Sequence, residues 1–448
     1  MRFRFSFVND QPTKKPNPTL KLFKILLGVV LLSTVLFVSI ISVNKTEKLE
    51  KSTLSITTEQ IRIKREKNRI YQLRKLRLQN AISQYFKKAI NSGSIVGAGV
   101  SIVQGDSILF SNGFGKRDIE NDARVNGETV FRLGSISKGF AGVLTADLKE
   151  EGKLDWNDKI TNYIPEFHFG TEKNTSQIQL AHILSHTSGT PYHSFTNLIE
   201  AGLPVSSISE RFSEVKPIGK PGQVYSYQNA MFSLCQEVIK KVTGEEINMA
   251  LKNRFFKPLG MSTVSMDHTS IMKNENVALP HAKRKKGWKK LLLNKRYYNA
   301  VAAGGINASS LDMAKWMRFL LGHNPEVMNK SALKEVFKPF VALKGHSKYY
   351  QKWSGHIASG YGFGWRIHEM KHLDTKNNFK VYHHGGSVNN YRNEIALFPE
   401  SDLGICVLIN NNTRFAKTVI PDLHAIVKKV YKATREVHAI PNSYAVVP

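Results

Sequence analysis

Ser135 and Lys138 stand three residues apart, behind Gly134 and ahead of an apolar run that starts at Phe140. A serine hydroxyl is a weak nucleophile at neutral pH and needs a base beside it. Positions i and i+3 of a helix share a face, so the lysine amine is placed to take the hydroxyl proton. The spacing selects nothing by itself, because it recurs at Ser42/Lys45, Ser213/Lys216, Ser270/Lys273 and Ser331/Lys334. Context separates Ser135 from the rest. Tyr227-Gln228-Asn229 follows a Pro221-Gly222 turn and brings a phenol and an amide toward one cleft. His384-Gly385-Gly386-Ser387 precedes Tyr391, Arg392 and Asn393, and its glycines let a ligand lie against a strand edge. Leu184-Ser185-His186-Thr187-Ser188-Gly189 reads as a hydrogen-bonded loop, with His186 and Ser188 satisfying it. Ser137 is open to a structural or a proton-relay role. Arg392 either binds a carboxylate or pairs with Glu394. Tyr225 is read as structural.

These residues need elements to hold them. Val100–Val103 and Ile108–Phe110 flank Gln104-Gly105-Asp106, a hairpin signal. Phe140, Val143, Leu144 and Leu148 keep helical spacing after Ser135, and Gly152 ends that helix. Residues 155–345 read as mixed helix and loop. Strands return at Glu394–Phe398 and Gly404–Ile409, and an amphipathic helix over 414–435 is expected to break at Pro421. No fixed period recurs, which excludes a solenoid or propeller.

The 448 residues are 41% hydrophobic and 10% aromatic, the profile of a folded chain. The formal charge is +29; residues 1–80 hold 17 basic against 5 acidic residues, and the remainder 47 against 30. A dense cluster runs from Lys283 to Lys290 and continues at Lys295 and Arg296. No nucleic-acid-binding motif accompanies segment 283–296, so it reads as a solvated or membrane-facing loop rather than a specific nucleic-acid site. Cys235 and Cys406 each sit in an apolar run and read as buried free thiols. No metal site is read: His383-His384 has no carboxylate beside it to complete a ligand set.

Residues 25–43 carry no charge and suit a bilayer crossing of about 20 residues. Arg2, Arg4, Lys14, Lys15, Lys21 and Lys24 precede them, which assigns 1–24 to the cytoplasm and the rest of the chain to the far side of the membrane. Residues 44–80 lack Gly and Pro and read as a basic helical stalk. A folded domain is expected over 81–436, with a tail at 437–448.

In this order and spacing, the motifs resemble those of the class C β-lactamase and penicillin-binding-protein superfamily. Phe131-Arg-Leu-Gly-Ser-Ile-Ser-Lys138 resembles its nucleophile motif, Tyr227-Gln228-Asn229 its second and His384-Gly385-Gly386 its third. Pro258–Met261, Ala303-Gly304-Gly305 and Tyr361–Trp365 are supporting matches. The resemblance implies an α/β (α+β) β-lactamase/transpeptidase-like fold, an antiparallel sheet flanked by helices with a mainly helical subdomain. It implies a Ser135 acyl-enzyme, with Lys138 and Tyr227 moving protons and Asn229, His384 and Gly386 binding substrate. The oxyanion hole would be the N–H groups of Ser135 and Ser387, and no metal or cofactor would be needed. Substrates would be peptides or small molecules with a scissile amide, lactam or ester, of D-alanyl-D-alanine carboxypeptidase type. A carboxylesterase, a lipid-acting hydrolase and a catalytically silent cell-wall binder are the alternatives. Two departures matter. His384 stands where β-lactamases often carry lysine, and Asn390 where relatives carry glycine.

Overall fold

The computed structural model describes residues 18–372 and 377–439. Most of the expected cytoplasmic segment and of the C-terminal tail therefore lies outside the described residues. The chain divides into two compact units, Met1–Leu73 and Arg74–Pro448. The first unit is helical throughout its described part, within α1 (Pro18–Asn91). Its Lys21–Leu49 stretch has a mean hydropathy of 2.7 and buries none of its surface. That stretch is long and apolar enough to cross a membrane, and a signal sequence would share the same properties.

The second unit starts on the last turns of α1, where Leu78, Ile82 and Phe86 are fully buried. Its strands, in chain order, are β1 (Gly97–Gln104), β2 (Ser107–Gly115), β3 (Val130–Arg132), β4 (His281–Arg284), β5 (Gly287–Lys290) and β6 (Asn307–Ser309). They continue with β7 (Val341–Ala342), β8 (His356–Tyr361), β9 (Arg366–Lys371), β10 (Asn378–Val388), β11 (Tyr391–Phe398) and β12 (Leu403–Ile409). One eight-stranded antiparallel sheet has the order β2-β1-β12-β11-β10-β9-β8-β7, while β3 pairs with β6 and β4 with β5.

β12 lies deep in this sheet and is buried along its whole length, which explains its unbroken apolar run. Alternate residues of a strand face opposite sides. Gly404 accordingly faces Met317 of helix Ser310–Leu320. Leu403 pairs with Phe398, whose ring stacks 4.1 Å from His424 of helix Val419–Ala439. Helices thus cover both faces, and the N- and C-terminal strands meet in one sheet because β1 pairs directly with β12.

Three expectations need correction. Segment 283–296 is not simply a loop: β4 and β5 form a hairpin that turns at Lys285-Lys286 and enters β5 at Gly287, which has a positive φ. Like charges hid its alternation. β8 to β10 were not read as a run of strands, because His, Lys and Arg occupy many of their positions. Pro421 does not break the last helix. It is the third residue of Val419–Ala439, in the first turn, where a missing N–H costs no internal bond. Cys235 and Cys406 are free and buried, as expected, and burial pushes both thiols up.

The helix that follows Ser135, α2 (Ser137–Glu150), is buried nearly all round. Phe140 stacks on Trp316 with centroids 4.1 Å apart, and Val143, Leu144 and Leu148 are fully covered. Gly142 brings α2 against Tyr361–Trp365: a β-carbon there would lie 2.1 Å from the carbonyl oxygen of Phe363. Gly142→Ala should therefore force the helix off the sheet and cost about 1–3 kcal/mol. Denaturant melting would show this as a lowered midpoint, and an unchanged midpoint would refute the close approach.

Candidate active site

β3 leads into a 3-10 turn, Gly134–Ile136, that carries Ser135, and α2 follows with Lys138 one turn on. β10 approaches this turn so closely that a β-carbon on Gly386 would lie 2.0 Å from the Leu133 carbonyl oxygen. Only glycine permits the strand to run there. Ser387 is thereby held beside the turn, its backbone N 2.8 Å from where a β-carbon on Gly134 would be.

Lys138 is fully buried. Its Nζ lies 2.8 Å from Asn229 Oδ1, 2.8 Å from the Ala303 carbonyl oxygen and 3.5 Å from Ser135 Oγ. It also sits over the rings of Tyr227, at 4.9 Å, and Phe232, at 5.3 Å. Among the described residues it has no acidic partner. Burial pushes its pKa well below the usual lysine value, and the Arg366 cation adds to that push. A neutral amine has two N–H donors and one lone pair. The amine donates to Asn229 and Ala303, and in its deprotonated form the lone pair has the Ser135 hydroxyl as its remaining neighbour.

Asn229 immediately precedes helix Ala230–Thr243 but does not cap it with its side chain. Oδ1 accepts from Lys138 and Nδ2 donates to Tyr297 at 3.0 Å. Burial raises the Tyr227 pKa, and the Arg366 cation and the neighbouring Ser135 hydroxyl pull it down without offsetting burial.

His384 was expected to face substrate. It is buried, and both of its nitrogens have partners inside the protein. Nδ1 donates to the Gly385 carbonyl oxygen at 2.8 Å, so Nε2 must accept, here from the Tyr361 hydroxyl at 3.1 Å. The Tyr361 oxygen then accepts from His186 Nε2 at 3.2 Å, and His186 Nδ1 accepts from the Gln228 N–H at 3.1 Å. One relay of neutral groups ties the second motif to the third. His186 and Tyr361 are its middle links.

The neighbouring histidine faces the other way. His383 Nε2 donates to Glu394 Oε2 at 2.7 Å. Its Nδ1 accepts from His368 at 3.1 Å; His368 accepts from Ser359 at 2.8 Å, and Ser359 from His356 at 2.7 Å. Glu394 also takes Tyr349 at 2.8 Å and Arg392 at 2.7 Å. This resolves Arg392 toward its ion pair. The turn after β10 places Asn389 and Asn390 at positive φ, which asparagine tolerates, and Asn389 Oδ1 accepts from Asn294 N at 3.0 Å. Ser137 supports the scaffold: its Oγ accepts from Ile306 N at 3.1 Å.

The structure therefore brings Ser135, Lys138, Tyr227, Asn229, Gly386 and Ser387 together. The sequence reading missed Tyr297, Tyr361 and Arg366. The Tyr361–Trp365 match flagged the right segment, but nothing in it marked the phenol or the arginine just beyond.

A model of the Beta-lactamase family matches residues 82–427. The chain belongs to the Beta-lactamase family. Protein flp of Staphylococcus aureus (strain NCTC 8325 / PS 47) is 24% identical over 355 residues, 77% of this chain and 66% of that protein. The chain thus spans just under two thirds of that relative. Unguisins hydrolase ungD' of Aspergillus campestris is 24% identical over 356 residues, 76% of this chain and 62% of that one. Two solved structures share the fold. A penicillin-binding protein homologue from Pyrococcus abyssi, described as octameric, superposes with a TM-score of 0.64 at 22% identity, over 79% of this chain and 80% of that one. EstCE1, a hydrolase with promiscuous acyltransferase activity, gives 0.66 at 19% identity, over 80% and 99%. The sheet, the helical insert and the family membership agree with the fold that the motifs implied.

For this Beta-lactamase-family domain the buried histidines set a pH limit. Burial holds His186, His368 and His384 well below the usual value of 6.5 and lowers His383 despite its carboxylate. In the unfolded chain each protonates near pH 6.5; in the folded one it stays neutral to lower pH. The unfolded state therefore binds more protons, so stability is full above about pH 6.5 and falls as the pH drops below it. Denaturant midpoints at pH 8, 7, 6 and 5 should decline over the last two steps. A flat profile would show that these rings charge freely inside the fold.

Proposed function

We propose that the protein is a membrane-anchored serine hydrolase that works through a Ser135 acyl-enzyme, of D-alanyl-D-alanine carboxypeptidase type. The observation that carries the reading is the hydrogen-bond count at Lys138. A buried amine whose pKa burial pushes well down is held by Asn229 and Ala303 and has a serine hydroxyl 3.5 Å away as its remaining neighbour. That distance is long for a hydrogen bond, as it often is before substrate tightens a site. Ser135 Oγ attacks the carbonyl carbon while Lys138 Nζ takes its proton. Tyr227, beside Ser135, passes a proton to the leaving group and then helps to activate water. The Ser135 and Ser387 N–H groups receive the negative charge on the carbonyl oxygen, a contribution worth about 10²–10³ in rate for one donor.

A carboxylesterase reading has one observation in its favour. His384 is neutral and internally bonded, so the third motif contributes no cation. EstCE1 shares the fold and is named a hydrolase.

Labelling with a fluorescent penicillin and, in parallel, a fluorophosphonate tests the nucleophile. Wild type should take label from at least one probe, and Ser135→Ala from neither. No label on folded wild type would refute the acyl-enzyme. Lys138→Met and Tyr227→Phe should each slow acylation by roughly 10²–10⁴ while the fold survives. Acylation by wild type should rise with pH as Lys138 loses its proton, with a midpoint well below the ordinary lysine value.

The anchor is proposed at residues 25–43, with the N-terminus cytoplasmic and the domain on the periplasmic or extracellular side. The domain limits proposed are a stalk over 44–80 and a hydrolase over 81–436. A reporter that works only outside the cytoplasm, fused after Pro448, should be active. Activity only of a cytoplasmic reporter there would reverse the orientation.

A further inference from the structure

The basic segment 283–296 takes no part in the chemistry at Ser135, and its fold gives it a definite outer face. Eight of its fourteen residues are Lys or Arg and none is acidic. In the hairpin, Ala282 pairs with Lys289, Lys283 with Trp288 and Arg284 with Gly287. Side chains alternate along a strand, so Lys283, Trp288 and Lys290 share one face and Ala282, Arg284 and Lys289 the other. The first face is turned to the domain. Lys290 bridges Asp118 at 3.1 Å and Glu120 at 2.5 Å. Lys283 Nζ donates to the Gly93 carbonyl oxygen at 3.4 Å and lies 5.5 Å from the centre of the Trp288 ring. The second face has no such partners. Arg284 and Lys289, with Lys285 and Lys286 in the turn and Lys295 beyond the hairpin, are exposed and form no ion pair among the described residues.

Leu292, two residues after the hairpin, is 85% exposed. The backbone around it is fixed. The Leu291 N–H donates to the Pro280 carbonyl oxygen at 2.8 Å, and the Leu292 carbonyl oxygen accepts from Asn389 Nδ2 at 3.3 Å. Leu293 packs against Val130, Ile271 and Val277. A single exposed leucine is ordinary. One held out from a fixed backbone, next to five unopposed cations, has the composition of an element that lies on a lipid surface. Like charges gathered so closely repel one another, and an anionic surface relieves that repulsion. The composition favours lipid over nucleic acid. Single strands are matched by exposed rings on which bases stack, whereas the one ring of this segment, Trp288, is half-buried on the inner face beside Lys283. The exposed apolar group is aliphatic and gains by entering the acyl boundary of a bilayer. The same chain carries Lys21–Leu49, which is long and apolar enough to cross one.

We propose that the outer face of the β4–β5 hairpin, with its turn and Leu292, is a docking surface for anionic phospholipid. Arg284, Lys285, Lys286 and Lys289 meet the headgroup phosphates, and Leu292 enters the acyl boundary. The proposal goes beyond the hydrolase reading and does not depend on it. Docking would also orient the Ser135 site. The segment continues through Asn294, whose Oδ1 accepts from Arg132 at 3.0 Å, to Tyr297, which holds Asn229 at 3.0 Å.

Leu292→Cys carrying the environment-sensitive fluorophore NBD reports docking on the full-length chain reconstituted into vesicles. Cys235 and Cys406 are buried, so the label goes to the new thiol. Emission should shift to the blue in phosphatidylcholine mixed with phosphatidylglycerol and stay at its aqueous position in phosphatidylcholine alone. Raised salt should reverse the shift. Each cation near an anionic surface changes binding about fivefold, so Arg284→Gln with Lys289→Gln should lower the docked-to-free ratio by roughly 25-fold. Both side chains are exposed, and an unchanged denaturant midpoint would show the fold intact. Equal emission in the two lipids, or a blue shift unmoved by the double variant, would overturn the proposal. Duplex DNA binding that the double variant loses, with no difference between the lipids, would assign the face to nucleic acid instead. The anchor is read separately, by retention in phosphatidylcholine vesicles through an alkaline wash. If the chain washes out, the anchor falls, and co-flotation with the two kinds of vesicle still decides docking. Binding to the anionic vesicles alone, lost in the double variant, supports it; equal binding to both refutes it.

Discussion

A lysine amine without a counter-charge lies at the centre of this domain, and much of the surrounding structure follows from it. Burying an ammonium costs several kcal/mol, so burial favours the neutral amine and pushes the lysine pKa well down. The neutral amine still has two donors, and each needs an acceptor. Asn229 and Ala303 supply them from two different helices of the insert. Asn229 would otherwise be free to cap the helix it begins. Its side chain is instead turned inward, held from behind by Tyr297. The amine lone pair therefore has one direction left, toward Ser135.

The sheet fixes the other side of the site through two hydrogen-bond relays whose directions are set at their ends. In one, the Gly385 carbonyl can only accept, and this forces a unique order through His384, Tyr361 and His186 to the Gln228 N–H. In the other, the Glu394 carboxylate can only accept, and the order runs back through His383, His368 and Ser359 to His356. Adjacent histidines on one strand serve opposite faces because side chains alternate along it. Neither relay leaves a tautomer undetermined. Gly386 completes the arrangement by letting β10 touch the nucleophile turn at the Leu133 carbonyl.

How much of this was legible depended on whether the signal was local. Ser135 and Lys138 lie one turn apart, so their shared face is written in the spacing. The β1–β2 hairpin and α2 were readable from Gly105 and from the helical spacing of Phe140, Val143, Leu144 and Leu148. The relays were not. Tyr361 and His186 are 175 residues apart in the chain and meet only when the sheet and the insert close on each other. Arg366 looks like any strand arginine until it is seen to have no carboxylate partner among the described residues. The Lys283–Lys290 hairpin was hidden for another reason. Its run of like charges masks the alternation that marks a strand, and only Gly287 betrays the turn.

One cation bears on two ends of the proposed proton path. Arg366 lowers the affinity of Lys138 for a proton and, at the same time, favours the ionised form of Tyr227. Both effects depend on its charge being uncompensated. A carboxylate beside the guanidinium would cancel much of that field, so that Lys138 would hold a proton more strongly and Tyr227 would release one less readily. Tyrosine faces stabilise the guanidinium without neutralising it, so its field goes on acting on both groups.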